Sequence, residues 1–423
     1  MKIRQIQAIK GMEDILPQDV DYFQFVEKTA KILFAQYGFS EIRTPILEPT
    51  ELFARSVGDS SDIVVSKQMY TFLDNGNRSN TMRPEGTAGV VRSIIEHGLL
   101  KEQPIQKLWY CGPMFRYEKP QKGRLRQFNQ IGVESFGVQN PAADAEIIIM
   151  CVRLLGKLGF KDICVDLNNL GDKDDRRRYN EELRRILQED IAKGSQWCEQ
   201  CRNRATVNPM RVFDCKEPGC RELLSTLPQI SDFINDEAKQ HFDTVTKILD
   251  QCQIKWSLNP DLVRGLDYYC RTVFEIVQTG TGAQSAVAGG GRYDGLIEEL
   301  GGPATCGIGW AIGMERLIIA MKAQQLAPEL QAPSQIHGFA LDQTSLLYMF
   351  SIVEKLRADG KTIRFDLTPK SVKAGLKAAS KGGNTLAIFA GENEVSNQQI
   401  VVKHLTSGEQ ETITPEDFFK SLC

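Results

Sequence analysis

The sequence predicts an α+β chain built on a central antiparallel hairpin. A charged helical stretch is inserted after the hairpin, and a C-terminal unit of alternating strands and helices closes the chain. Three observations carry this. Two β-type runs, Leu108-Trp109-Tyr110 on one side and Ile131, Val133 and Ser135 on the other, flank the basic loop Lys119-Pro120-Gln121-Lys122-Gly123-Arg124, which Pro and Gly break. Residues 171–255 change character to charged and helix-forming, which looks like an insertion. From residue 334 onward, strands at 336–341, 362–365 and 385–390 alternate with helices at 345–358 and 370–381, the pattern of a small parallel α/β domain. Residues 327–333, with two prolines, read as the linker before it.

The hairpin carries polar side chains where an ordinary one would bury apolar ones. Strand side chains repeat every two residues, so Arg116 and Glu118 are expected on one face of the first strand, and Gln130 and Glu134 on one face of the second. Two strands with fixed polar groups on one face suggest a binding floor; the alternative is a solvated amphipathic hairpin.

Composition bounds the function. At 423 residues the chain is long enough for two or three domains, and 25% charged with 42% hydrophobic residues is ordinary for a water-soluble globular protein. The 51 basic and 54 acidic residues leave a net charge of −3, so any RNA partner must be met by local patches rather than a global positive field. No apolar run approaches membrane-spanning length, and the first residues lack a signal-peptide core. Eleven cysteines at irregular spacing then read as reduced thiols of a cytoplasmic protein without a membrane partner.

In chain order, Asp19 is expected to cap a helix with the apolar face Phe23, Val26, Ala30, Leu33, Phe34 and Tyr37, stopped by Gly38. A strand follows at 39–46, closed by Pro45. In Thr81-Met82-Arg83-Pro84-Glu85-Gly86-Thr87, Pro84 sets a turn and Gly86 permits close backbone approach. Glu85 and Thr87 then offer an anion and a hydroxyl suited to an ammonium group; the alternative is a surface turn in which Thr87 caps the helix that starts at Ala88. After the hairpin come a helix at 144–158 and a strand at 163–167. Within the insertion, Cys198, Cys201, Cys215 and Cys220 form two pairs that could ligate a structural zinc. The second pair has the looser CxxxxC spacing, so ordinary thiols fit as well, and no metal is assigned.

Arg264-Gly265-Leu266-Asp267-Tyr268-Tyr269 leads into a strand at 272–277, and 285–291 reads as a strand ending in a glycine-rich turn before Arg292-Tyr293-Asp294. A glycine-studded strand at 306–313 then enters the helix that carries Arg316 in its first turn. On the C-terminal unit Lys370, Lys373, Lys377 and Lys381 make one helix face basic, either solvated or placed against phosphates.

Five blocks stand in order: Arg-Pro-Glu-Gly-Thr, the Arg-x-Glu hairpin, Arg-Gly-Leu-Asp-Tyr-Tyr, Gly-Gly-Gly-Arg-Tyr-Asp and Gly-Met-Glu-Arg. Together they resemble the bacterial histidyl-tRNA synthetases, a family of class II aminoacyl-tRNA synthetases. The third and fourth blocks distinguish that family from other class II members. The resemblance implies an antiparallel sheet flanked by helices as the catalytic domain (residues 1–326), and an anticodon-binding domain at 334–423. It implies a homodimer that uses L-histidine, ATP with Mg²⁺, and tRNA(His). By the same resemblance Arg264 and Arg116 are catalytic, and Arg264 meets both the carboxylate and the α-phosphate. Histidine falls to Glu85, Gly86, Thr87, Gln130, Glu134, Arg264, Tyr268 and Tyr269. ATP falls to Arg116, Glu118, Phe128 and Arg316, and the tRNA acceptor end to Gln121, Lys122, Gly123 and Arg124. The rival reading is a catalytically silent relative that senses histidine as the regulatory subunit of ATP phosphoribosyltransferase. Such relatives erode the arginines and the C-terminal domain, which this sequence keeps.

Overall fold

The computed structural model describes residues 5–57, 68–121, 123–264, 268–278, 286–326 and 336–422. The chain divides into two compact units, Met1–Pro328 and Glu329–Cys423. The strands of the first are β1 (Ser40–Glu41), β2 (Leu47–Pro49), β3 (Tyr70–Leu73), β4 (Ser79–Met82), β5 (Gln106–Phe115), β6 (Gln127–Phe136), β7 (Ile163–Asn169), β8 (Trp256–Leu258), β9 (Cys270–Gln278), β10 (Ala286–Arg292) and β11 (Gly307–Gly313). Eight of them form one sheet in the order β1-β5-β6-β11-β10-β9-β7-β8. Its six central strands run antiparallel, and a short parallel strand lies at each edge.

Period-two alternation sorts the two faces of this sheet. Trp109, Ile131, Val133, Phe274, Ile276, Ile308, Trp310 and Ile312 share one apolar core with Phe34 of helix Pro17–Gln36 and with Ile147 and Met150 of helix Ala142–Lys157. The Phe34 ring lies 5.5 Å from that of Trp109 and 5.7 Å from that of Trp310. Burying each such side chain contributes about 1.5–3 kcal/mol. The intervening residues Tyr110, Gly132, Glu134 and Gly309 face the other way, so one set of strands supplies both the core and a polar floor.

Helices Lys173–Ala192, Glu199–Val207, Pro218–Leu224 and Asp236–Gln251 make up the expected helical stretch between β7 and β8. A buried ionic cluster ties it to the sheet. Arg292 at the end of β10 donates to Asp144 at 2.6 Å, and His241 of helix Asp236–Gln251 meets the same carboxylate at 2.8 Å. Arg292 and Asp144 are fully buried, so removing Asp144 leaves a buried guanidinium with only Asp294, at 2.9 Å, of its two carboxylates. Asp144→Ala is expected to lower stability by about 3–5 kcal/mol, read as a fall in the urea midpoint.

The second unit holds β12 (Ile336–Ala340), β13 (Ile363–Phe365), β14 (Leu386–Ala390), β15 (Ile400–His404) and β16 (Gln410–Ile413) in the order β13-β12-β14-β15-β16. β13, β12 and β14 are the expected parallel strands, and β15 and β16 extend them as an antiparallel pair. The linker expected at 327–333 lies outside the described residues.

Several local expectations are corrected. The first helix begins at Pro17, which needs no N–H partner at that position; Asp19 lies in the first turn and pairs with Lys322 instead of capping. Gly38, at φ +78°, does end it. The strand expected at 39–46 is only Ser40–Glu41, and the chain leaves the sheet before Pro45 to pair again as β2. Gly289, Gly290 and Gly291 lie inside β10, not in a turn after it, while Ser285 lies outside the described residues. Lys370 precedes helix Val372–Lys381 and pairs with Asp366 at 2.9 Å, so the exposed basic face is Lys373, Lys377 and Lys381.

Candidate active site

The floor of the site is the β5–β6 hairpin. Gln130 and Glu134 share one face of β6, as period two requires. Arg116 and Glu118 do not share a strand face, because β5 stops at Phe115. Arg116 still pairs once with Arg126 (N to O, 2.8 Å), and the backbone then folds so that Glu118 N donates to Arg116 O at 2.8 Å. The Arg116 guanidinium is aimed by a bond from Nε to the Pro84 carbonyl (2.8 Å) and lies 5.3 Å from the centre of the Phe128 ring. Its burial pulls its pKa below the ordinary arginine value, with Glu118 and Glu85 opposing.

Above the floor, β4 turns into helix Thr87–Glu96. Arg83 fixes this turn by donating to the carbonyls of Pro113 (Nε, 2.9 Å) and Thr44 (Nη1, 2.9 Å). Glu85 accepts from the first two helix amides, Thr87 N at 2.6 Å and Ala88 N at 2.9 Å. That satisfies donors which every helix start leaves open and brings a carboxylate to its positive end. A side chain at Gly86 would overlap the Tyr110 ring, so only glycine fits there. The cap expected from Thr87 is supplied by Glu85 instead; Thr87 is the first helical residue and its hydroxyl donates to Glu134.

Glu134 is the centre of the pocket. It is 1% exposed, accepts from Thr87 Oγ1 at 2.6 Å on one oxygen and from the Tyr293 hydroxyl on the other. Burial pushes its carboxyl up to about 8, although both hydrogen bonds work against that and Glu85 adds to it. Room for the carboxylate comes from Gly309, opposite it on β11, where any Cβ would overlap Oε2. Tyr268, Tyr269 and Tyr293 pack as a buried cluster with ring centres 4.7, 5.4 and 6.3 Å apart. The Gln130 side-chain oxygen is buried without a hydrogen-bond partner, a standing demand for a donor.

Arg264 borders this pocket. Its Nη1 donates to Glu275 of β9 at 2.6 Å, its guanidinium lies 5.8 Å from the Tyr269 ring centre, and its Nε is buried without a partner. Gly289 is bare because Arg264 occupies the volume a Cβ would need, and a Cβ on Gly291 would meet Tyr269 Cδ1 at 2.8 Å. Residues 265–267 of that block lie outside the described residues.

At the hairpin tip, Gln121 and Arg124 exchange backbone hydrogen bonds (3.1 and 2.8 Å) around Gly123 at φ +72°; Lys122 lies outside the described residues. Arg124 reaches Glu118 at 3.6 Å. Gly123 packs against the side chain of Arg316, whose pKa is lowered by burial and then by the charge of Arg124. Glu315 beside it holds the helix on β6 by accepting from Asn129 N at 2.8 Å. A cleft lined by Arg176, Arg184, Arg211, Arg264 and Tyr269 opens between the insertion and this site.

The structure links Glu85 through Thr87 to Glu134, Arg116 to Phe128, Arg264 to Tyr269, Arg124 to Glu118, and the hairpin tip to Arg316. Residue-level reasoning missed Tyr293, Tyr110, Gly309 and Glu275. Tyr293 had a signal, its place in Gly-Gly-Gly-Arg-Tyr-Asp; Tyr110 read as part of an apolar run.

Comparisons with known proteins match both units of the chain. The family model for histidyl-tRNA synthetase matches residues 11–317, and that for an anticodon binding domain matches residues 333–422. The histidine–tRNA ligase of Nitratidesulfovibrio vulgaris is 46% identical over 97% of this chain and 96% of its own. That of Acaryochloris marina is 44% identical over 97% and 94%. The solved apo histidyl-tRNA synthetase of S. aureus superposes with a TM-score of 0.81 at 36% identity, covering 99% of each chain. With both units matched along nearly the whole length, the chain belongs to the histidyl-tRNA synthetase family.

Proposed function

We propose that the chain is a histidine–tRNA ligase: it joins L-histidine and ATP into histidyl-adenylate, releases pyrophosphate, and passes histidine to the 3′ end of tRNA(His). The observation that carries this is Glu134, a buried carboxylate held by Thr87 and Tyr293 in a pocket flanked by Arg116 and Arg264. Glu85, Thr87 and the unpartnered oxygen of Gln130 suit the ammonium group of an amino acid. Glu134, with Tyr268 and Tyr269, suits an imidazole that needs one acceptor and a polar neighbour. An apolar analogue would leave these buried groups unpaired, so discrimination needs no second, hydrolytic site.

In the first step an oxygen of the histidine carboxylate forms a bond to the α-phosphorus of ATP, and the bond from that phosphorus to the bridging oxygen breaks. Two anions converge, and the charge on the α-phosphate grows toward the transition state. Arg116 and Arg264 are the fixed cations that offset it, and their planar forks grip such oxygens better than lysine would. Phe128 stacks on adenine, Glu118 accepts from its amino group, and Arg316 meets the γ-phosphate. Mg²⁺ would offset the charge of the departing pyrophosphate, and Glu275, which also anchors Arg264, would be the carboxylate that holds it. In the second step a ribose hydroxyl of the tRNA end attacks the histidyl carbonyl and AMP leaves. Gln121, Lys122, Gly123 and Arg124 at the hairpin tip guide that end.

The domain reading follows: residues 1–326 catalyse, with the insertion at about 171–255, and residues 334–423 bind the anticodon arm. Lys373, Lys377 and Lys381 supply cations for its phosphates. The enzyme works in the cytoplasm as a homodimer; among the described residues no helix is long and apolar enough to cross a membrane.

The test is amino-acid-dependent ATP–pyrophosphate exchange against all twenty amino acids without tRNA. Exchange with histidine alone is expected. Silence with every amino acid, from folded protein that still binds histidine, would instead favour a histidine-sensing regulatory subunit.

A further inference from the structure

The insertion gathers its four cysteines into one cluster, despite the looser CxxxxC spacing of the second pair. Cys198 sits at the N-cap of helix Glu199–Val207 and Cys201 in its first turn. Cys215 follows the short turn Pro209–Asp214, and Cys220 lies in the first turn of helix Pro218–Leu224. The four sulfur atoms all lie within 4.8 Å of one another, and Cys198 and Cys215 stand 3.8 Å apart. Four thiolates at about 2.3 Å around a tetrahedral zinc ion would be spaced by about 3.8 Å, so the cluster is close to the size the ion requires. A disulfide would need its sulfur atoms at about 2.05 Å; all four are free thiols here.

Two further features separate this cluster from cysteines packed as small apolar side chains. Backbone amides point at the sulfur atoms: Cys201 N donates to Cys198 Sγ at 3.4 Å, and Cys198 N donates to Cys220 Sγ at 3.3 Å. Neutral thiols are weak acceptors, whereas metal-bound thiolates carry the charge that such donors stabilise. The stretch that carries the cysteines packs into an apolar core with Trp197, Leu183, Leu187 and Val212, but is itself built of short elements. Its helices span nine and seven residues, short of the twelve or so at which an isolated helix becomes even marginal in water. Cys201, Cys215 and Cys220 are buried at the meeting point of these pieces.

We propose that Cys198, Cys201, Cys215 and Cys220 bind one structural zinc ion that cross-links the insertion. The all-sulfur, closed tetrahedral donor set leaves no position for a substrate, and it selects zinc over the oxygen-preferring divalent ions. Arg211 lies in the turn between the two cysteine pairs, so the metal also fixes one wall of the arginine-lined cleft beside the active site.

The experiment uses the full-length protein, purified in reductant without chelators. Elemental analysis is expected to give near one zinc per chain, released when the thiols are titrated with a mercurial. Replacing zinc with Co²⁺ is expected to produce a thiolate-to-cobalt charge-transfer band and the intense visible absorption of a tetrahedral site, saturating at one equivalent. Cys201→Ser and Cys215→Ser should each abolish that spectrum, whereas Cys164→Ser, on β7, should keep it. Should these variants fail to fold, the cobalt spectrum of the wild-type chain decides. Hydrogen exchange should show residues 195–234 losing protection on zinc removal. The proposal is overturned by reduced protein that holds less than a tenth of an equivalent and gives no tetrahedral cobalt spectrum. A disulfide within the cluster of freshly isolated protein, or iron in place of zinc, would overturn it equally.

Discussion

Replacing Arg264 with alanine is expected to slow histidine-dependent pyrophosphate exchange by about 10²–10³-fold while histidine affinity changes by only a few-fold. The reason lies in when the charge appears. In the ground state the histidine carboxylate and the α-phosphate are separately solvated anions; in the transition state they share an incipient bond and their charge concentrates on oxygens that water no longer reaches. Arg264 is already ordered for that moment. Glu275 anchors one nitrogen at 2.6 Å, Tyr269 supports the guanidinium, and the buried Nε still lacks an acceptor. Histidine binding rests on Glu85, Gln130 and Glu134, which the substitution leaves in place. Glu275 is 30% exposed, so water can solvate the carboxylate that loses its partner, and the fold survives. Lysine is a poor substitute, because a single ammonium cannot hold Glu275 and reach the phosphate together. The checks are single-turnover adenylate formation and calorimetric histidine binding on the same preparation. Equal losses in both would remove Arg264 from the chemistry and make it a binding residue.

What could be read from sequence was whatever local periodicity or turn chemistry controls. The hairpin, the shared face of Gln130 and Glu134 and the Pro84–Gly86 turn follow from rules that span a few residues. Most of the misses come from partners brought from far along the chain. Gly289 and Gly291 read as a turn because glycine runs usually are one; they stay in a strand because Arg264 and Tyr269 occupy the space their side chains would take. Tyr293 bonds Glu134 across 159 residues, and Asp144 meets Arg292 across 148, so no window of sequence contains either pair. Arg116 and Glu118 were given one strand face on a correct periodicity applied past the strand's end. The buried His241 needed the fold to show that it serves Asp144 rather than any reaction.

Glu134 turns the same burial into a pH dependence. Its carboxyl is raised from 4.5 to about 8, so in this interval the folded chain retains a proton that the unfolded chain has released. The stability this proton contributes is complete below about pH 4.5 and lost as pH rises through about 8. Ligand binding runs the other way. Thr87 and Tyr293 already donate to both oxygens, and an imidazole N–H adds a third donor, which the ionised carboxylate accepts best. Histidine must therefore displace a proton at neutral pH, and its Kd should tighten about fivefold between pH 7 and pH 8, with proton uptake by the buffer visible in calorimetry. Glu134→Gln keeps the shape, cannot ionise, and places a donor where an acceptor is needed. Its Kd should be weaker by about 10–10²-fold, the worth of one hydrogen bond to a charged group, and flat over the same range. A wild-type affinity that weakens about twofold over this range would mean that Glu134 binds histidine as the neutral acid, and a flat one that binding leaves its protonation unchanged; a slope that survives in Glu134→Gln would assign the titration to another group, with Glu85, raised by burial at the start of helix Thr87–Glu96, the next to test.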